Sequence, residues 1–185
     1  MSSAIAILQG FEERTCRFWN RMSRRPLWSL VFKAASRLGN GVFWYVLMLV
    51  LALGYGAFGL ETAIRMAATG LACTLVYKSI KLTFRRPRPY TVLPGLNAEV
   101  LPLDRFSFPS GHTMHACTFT VVACEAFPTL AWMLVPFTVV VALSRVVLGL
   151  HYASDVAAGA LLGTMLGGLA HGLTFPAALA SLILS

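Results

Sequence analysis

Acidic side chains are scarce in this sequence. Seven Asp and Glu stand against fifteen Lys and Arg among 185 residues, and charged residues make up only 12%. A soluble domain carries about a quarter charged residues, so a molecule wetted on all sides is excluded. The acids do not cluster either. Glu99, Asp104 and Asp155 are scattered, which leaves no carboxylate set to hold Mg²⁺, and no metal or cofactor is expected. Cysteine is sparse: Cys16, Cys73, Cys117 and Cys124 form no CxxC pair and read as buried free thiols, not as a disulfide or metal site. No signal peptide is expected, because the apolar stretch Ala4 to Leu8 is too short and is followed by acids and arginines.

What the chain has in quantity is apolar sequence. It is 57% hydrophobic with a mean hydropathy of +0.72, the profile of an integral membrane protein. The net charge of +8 would raise nucleic acid as a partner in a soluble protein. Here the basic residues flank apolar segments, where they meet anionic lipid head groups, and nucleic-acid binding is not expected.

Residues 4–23 read as an amphipathic helix with Ile5, Leu8, Phe11, Phe18, Trp19 and Met22 on one face and Glu13, Arg14, Arg17, Arg21 and Arg24 on the other. Pro26 opens a second, about Leu27 to Leu38, ended by Gly39-Asn40-Gly41. Residues 1–39 therefore read as an interfacial segment and 40–185 as a transmembrane core. Apolar spans are expected at Gly41–Leu60, Thr62–Ile80, Ser110–Phe127 and Thr129–Leu150, with Pro136 kinking the fourth, and from Ser154 onward. The fold class is an all-α membrane protein of about five transmembrane helices, preceded by two amphipathic helices. Gly159, Gly163, Gly167 and Gly168 in the last span read as a packing stripe. Arg65 and Lys78 are expected to snorkel, Glu125 to be exposed, and Trp19, Trp28, Trp44 and Trp132 to anchor at the interface.

Between the second and third spans, residues 81–108 form a basic loop punctuated by Pro87, Pro89, Pro94 and Pro102, long enough to be functional. By span counting, this loop shares one membrane face with 144–155 and the N-terminus. Fourteen of the fifteen Lys and Arg lie on that face, all but Arg65.

Three stretches there carry ionisable groups at a depth where charge is costly. Lys81-Leu-Thr-Phe-Arg-Arg-Pro-Arg88-Pro89, read alone, is equally a basic membrane flank. Pro109-Ser110-Gly111-His112 opens a helix, whose free N–H groups and positive dipole end form an anion site. In Ser144-Arg145-…-His151-…-Asp155, a carboxylate one helical turn after His151 can hold one imidazole nitrogen and leave the other free to act. Lys81, Arg88 and Arg145, with the Gly111 amide and two histidines, suit a phosphate group.

In their order and internal spacing, Lys-x6-Arg-Pro, Pro-Ser-Gly-His and Ser-Arg-x5-His-x3-Asp make this sequence similar to the type-2 phosphatidic acid phosphatase family. The resemblance covers roughly residues 40–175. Ala153 departs from a frequent proline, and the first span of six-span members is replaced by the amphipathic helices. The resemblance implies a lipid phosphatase in which His151 attacks phosphorus to form a phosphohistidine and Asp155 orients it. His112 would serve as acid and then base, while Lys81, Arg88, Ser110, Gly111 and Arg145 bind the phosphate. It implies a membrane lipid phosphate as substrate (phosphatidylglycerophosphate, phosphatidate, undecaprenyl diphosphate or a lipid A phosphate) and a bacterial inner-membrane location. A non-catalytic lipid-phosphate binding or transport protein would carry the same pocket. So would a vanadate-dependent haloperoxidase, although those enzymes are large and soluble.

The remaining polar residues get plainer readings. His115 is expected as a hydrogen-bonded helix histidine, His171 has no role, and Tyr152 packs. Arg85, Arg86 and Arg105 touch a head group or solvent. The basic excess points the site to the cytoplasm, whereas most members of the similar family face the periplasm or lumen. The oligomeric state is left open.

Overall fold

A computed structural model describes residues 3–96, 98–102 and 104–172. Eight α-helices follow in order: α1 Ser3–Ser23, α2 Pro26–Leu38, α3 Val42–Gly54, α4 Gly56–Phe84, the single turn α5 Pro89–Val92, α6 Gly111–Ala126, α7 Ala131–Val147 and α8 Ala153–Leu169. There is no strand among the described residues, in keeping with the all-α expectation.

The third apolar segment became the centre of the bundle. α6 packs against α4, α7 and α8 at once. Its Met114, Ala116, Phe119, Val122 and Ala123 are buried, and several join Trp44, Leu47, Leu51, Met66, Leu134 and Val141 in the main core. Threonines tie α6 to its neighbours where two polar groups meet in an apolar setting. Thr120 bonds Thr138 of α7 at 2.6 Å, and Thr118 donates to the Gly163 carbonyl of α8 at 3.0 Å.

Gly159, Gly163 and Gly167 of the α8 stripe have the packing role expected of them, whereas Gly168 faces open space. A Cβ on Gly159 would stand 2.6 Å from the Ser110 carbonyl oxygen, and one on Gly163 2.3 Å from that of Met114. Backbone oxygens cannot move aside as a flexible side chain can.

Several expectations need correcting. The first span does not run unbroken to Leu60: α3 ends at Gly54, and a new helix starts at Gly56. Pro128–Val147 is the one described helix long and apolar enough to cross a membrane alone. α2 and α3, bent by 52° at their junction, make a second if taken together. α4 is long enough but carries Glu61, Arg65, Lys78 and Lys81, and α6 and α8 are shorter. Arg65 does not snorkel. It is buried and faces Glu125 at 3.5 Å; Glu125 itself is exposed as expected and also meets His171 at 2.5 Å. Trp44 is no interfacial anchor: it is fully buried in the core, whereas Trp132 is 90% exposed.

Leu49, Leu53, Leu71, Leu75, Val135, Val139, Leu161 and Met165 are exposed around α3, α4, α7 and α8. An apolar collar this wide is unfit for water and fits a bilayer. The N-terminal helix keeps Leu8, Phe11 and Phe18 exposed, as an interfacial helix requires, and packs a third stripe, Cys16, Asn20 and Ser23, against the bundle.

Enlarging the α6–α8 contact should be costly. Gly159→Ala and Gly163→Ala are each expected to lower stability by about 1–3 kcal/mol, the range for overpacking a tight interface. Thermal unfolding in detergent measures this, with Gly168→Ala, which faces open space, as the neutral reference.

Candidate active site

The three charged stretches, far apart in sequence, converge at one end of the bundle. They line a cavity of about 470 Å³. Lys81, Arg88, Asp104, Gly111, His112, His115, Arg145 and His151 form its polar end. Trp44, Tyr45 and Met48 of α3, Ala67 and Leu71 of α4, and Phe119 of α6 form its apolar flank.

His151 sits in the turn between α7 and α8. Gly149 takes φ +69°, open to glycine at little cost, and the chain folds back so that the Leu150 and His151 N–H groups both donate to the Arg145 carbonyl, at 3.0 and 3.1 Å. That closure sets the nucleophile candidate beside the arginine of its own motif. Arg88 Nη1 donates to His151 Nε2 at 3.1 Å and to the Leu150 carbonyl at 2.9 Å. A guanidinium can only donate, so Nε2 is the accepting nitrogen and the proton sits on Nδ1. Burial, with Arg88, Arg145 and Lys81 close by, holds the imidazole well below its ordinary pKa. The ring is therefore neutral, with a lone pair on the nitrogen that faces the cations.

Asp155 stands behind it as expected, less closely than expected. Its Oδ2 is 3.6 Å from His151 Nδ1, too far for a hydrogen bond in this state, and Nδ1 has no partner. The carboxylate is engaged elsewhere: Oδ2 accepts the Tyr152 N–H at 2.9 Å and Oδ1 accepts Arg86 Nη1 at 2.7 Å. Arg86 is thus turned inward instead of toward head group or solvent, with its guanidinium 4.0 Å from the centre of the Tyr152 ring.

The second motif joins the third through the backbone, where the Ser110 N–H donates to the Asp155 carbonyl at 3.0 Å. Ser110 itself is fully buried, with Oγ bonded to Thr113 Oγ1 at 2.9 Å, and it does not line the cavity. Gly111 and His112 do. His115 is hydrogen-bonded as read, to the Gly111 carbonyl at 3.0 Å and the Gly70 carbonyl at 3.1 Å.

Asp104 is the residue that sequence reading missed. It bridges two cations: Lys81 Nζ meets Oδ1 and Oδ2 at 2.8 and 3.0 Å, and Arg88 Nη2 meets Oδ1 at 2.8 Å. The signal was there in two acids, Glu99 and Asp104, among the bases of the 81–108 loop. Burial raises its pKa, but the hydrogen bonds and charge of Lys81 and Arg88 outweigh that and hold it below the usual range. These pairs therefore stabilise the loop above about pH 3.9, the unperturbed value, and are lost as pH falls through the depressed one.

Three of the four buried side-chain atoms without a hydrogen bond among the described residues belong to this cavity: Trp44 Nε1, Arg145 Nε and His151 Nδ1. Arg145 otherwise has only Ser36 Oγ, at 2.5 Å. Buried donors left unpaired are costly; Trp44 and Arg145 line the cavity, while His151 Nδ1 faces Asp155 at 3.6 Å.

A helical bundle whose three ordered motifs meet around a cationic, histidine-bearing cavity at one end defines the class. Residues 62–177 match the PAP2 superfamily, and the chain belongs to that superfamily. It is 31% identical over 164 residues to phosphatidylglycerophosphatase B of Bacillus subtilis, covering 77% of this chain and 73% of that one. It is 34% identical over 123 residues to a probable lipid phosphate phosphatase beta of Arabidopsis thaliana, where it spans 57% of the relative's length and the match covers 51% of this chain. Its fold is similar to the crystal structure of Aquifex aeolicus LpxE, with a TM-score of 0.77, 26% identity, and 88% of this chain and 96% of that one covered.

Because Asp104 already neutralises two of the cavity's cations, Asp104→Asn is expected to raise its affinity for orthovanadate several-fold. Thermal-shift titration at neutral pH reads this directly.

Proposed function

We propose that the protein is a lipid phosphatase that works without a metal ion through a phosphohistidine, in a core crossing the membrane five times. The observation that carries this is the alignment of charges: a neutral His151 with Nε2 exposed to Arg88, inside a cavity whose other wall is apolar. A head-group phosphate would meet Lys81, Arg88, Arg145 and the Gly111 amide, and the attached chain would lie along α3 and α4.

In the first step Nε2 of His151 attacks phosphorus and a P–N bond forms. The P–O bond to the lipid breaks, and His112 gives the leaving oxygen a proton. The imidazolium created on His151 is stabilised by Asp155 behind Nδ1. In the second step His112 takes a proton from water, which attacks phosphorus, and the P–N bond breaks to release inorganic phosphate. Charge spread over the transferring group is neutralised by the fixed cations. Ser110, at the N-cap position of α6, ties the start of the helix that aims Gly111 and His112 to Asp155 through its backbone N–H.

Among the candidate substrates, a glycerophospholipid phosphate such as phosphatidylglycerophosphate is favoured. The relative that this chain spans most fully of the two named above bears that activity in its name. Phosphatidate and undecaprenyl diphosphate are the alternatives, and a bacterial inner membrane is the setting.

Phosphate release from a panel of these lipids, with EDTA present, is the test. Activity should be unchanged by EDTA and greatest on phosphatidylglycerophosphate. His151→Ala should abolish release, and unchanged release would instead favour a non-catalytic binding protein. Arg145→Ala should cost about 2–4 kcal/mol of transition-state stabilisation, the range for one preorganised donor.

A further inference from the structure

We infer that the N-terminal helix is part of the reaction machinery: Glu12 of α1, acting through Arg86, is a positioning residue for the carboxylate behind His151. The inference rests on the phosphohistidine reading above.

α1 presents to the bundle a polar stripe with helical spacing, Glu12, Cys16 and Asn20. Each meets a different part of the turn that carries the nucleophile. Asn20 Nδ2 donates to the Val147 carbonyl at 2.9 Å, just before it. Cys16 Sγ lies 3.9 Å from the carbonyl of His151 itself. Glu12 accepts hydrogen bonds from Ser154 Oγ and from Arg86, beyond it. Leu8, Phe11 and Phe18 stay outside, where an anchor needs them, so the inward polar stripe is a separate face that anchoring alone does not use.

Arg86 is shared between two carboxylates. One guanidinium nitrogen holds Asp155 Oδ1 at 2.7 Å, the other is held by Glu12. A planar fork gripped at both ends has one orientation. Asp155 is fully buried, and Arg86, the Tyr152 N–H and the Ser107 hydroxyl hold its carboxylate. Without Glu12, the whole charge of Arg86 falls on Asp155. That draws the carboxylate further from Nδ1, already at 3.6 Å, just where the imidazolium must be stabilised when phosphorus is attacked. A misplacement of ~1 Å in such a group can cost about a hundredfold.

The full chain in detergent, assayed for phosphate release and for orthovanadate binding, provides the test. Glu12→Ala should lower kcat on the order of tenfold with KM within about twofold, and Glu12→Asp should recover most of the loss. Because Glu12 works through Arg86, Glu12→Ala combined with Arg86→Gln should be no worse than Arg86→Gln alone. Orthovanadate, held by the same His151 nitrogen, should bind Glu12→Ala about tenfold more weakly. Melting midpoints identify variants that fold. If Glu12→Ala does not fold, Glu12→Gln, which keeps the volume and loses the charge, is read in its place.

Wild-type kcat and unchanged vanadate affinity in the Glu12 variant would overturn the inference, as would losses that simply add. A wild type that binds vanadate yet releases no phosphate from any lipid would overturn the functional proposal. In that case the vanadate comparison still decides the role of Glu12.

Discussion

Three cations held out of water beside one histidine repel each other and the protonated form of that histidine, and the rest of the structure is arranged around that cost. Lys81, Arg88 and Arg145 are each almost wholly buried, and charge at such depth is stable only when paired or hydrogen-bonded. Asp104 bridges the first two, and Ser36 and backbone carbonyls take up further donors. The compensation is incomplete: Arg145 Nε stays unpaired. The excess of positive charge keeps His151 neutral and leaves the cavity ready for an anion.

The helices are the means of holding that arrangement. α6 lies close enough to α8 for backbone oxygens to rest on glycines, and the Ser110 N–H is thereby fixed to the Asp155 carbonyl. The second and third motifs thus become one rigid unit. The first motif joins through two arginines on either side of Pro87, Arg88 toward His151 and Arg86 toward Asp155. α1 closes the assembly from the outside.

Much of this was legible in the chain. The apolar runs announced helices, and α6 and α8 begin within a residue of where the Pro-Ser-Gly-His and His-x3-Asp signals put them. Lys81, Arg88, Gly111, His112, Arg145 and His151 meet at one cavity as motif spacing required. What escaped had no periodic or motif signal. Asp104 is one of two acids in an irregular loop, and Glu12 lies on a third face of α1, between the apolar and basic stripes that the sequence pattern displays. Trp44 and Arg65 were misplaced because an aromatic or a base near the end of an apolar run reads as interfacial unless its neighbours are known.

Sequence by itself determined the chemistry: which residue types are present, their local spacing, the all-helical class and the apolar composition that demands a bilayer. Hydrophobic period and motif spacing act over a few residues, and that is the range over which a chain states its intentions openly. Only the tertiary structure decided which charges face one another. Glu12, Arg86, Asp104 and Asp155 lie on separate elements, and their pairing depends on how closely glycine-lined helices approach, which no local pattern encodes.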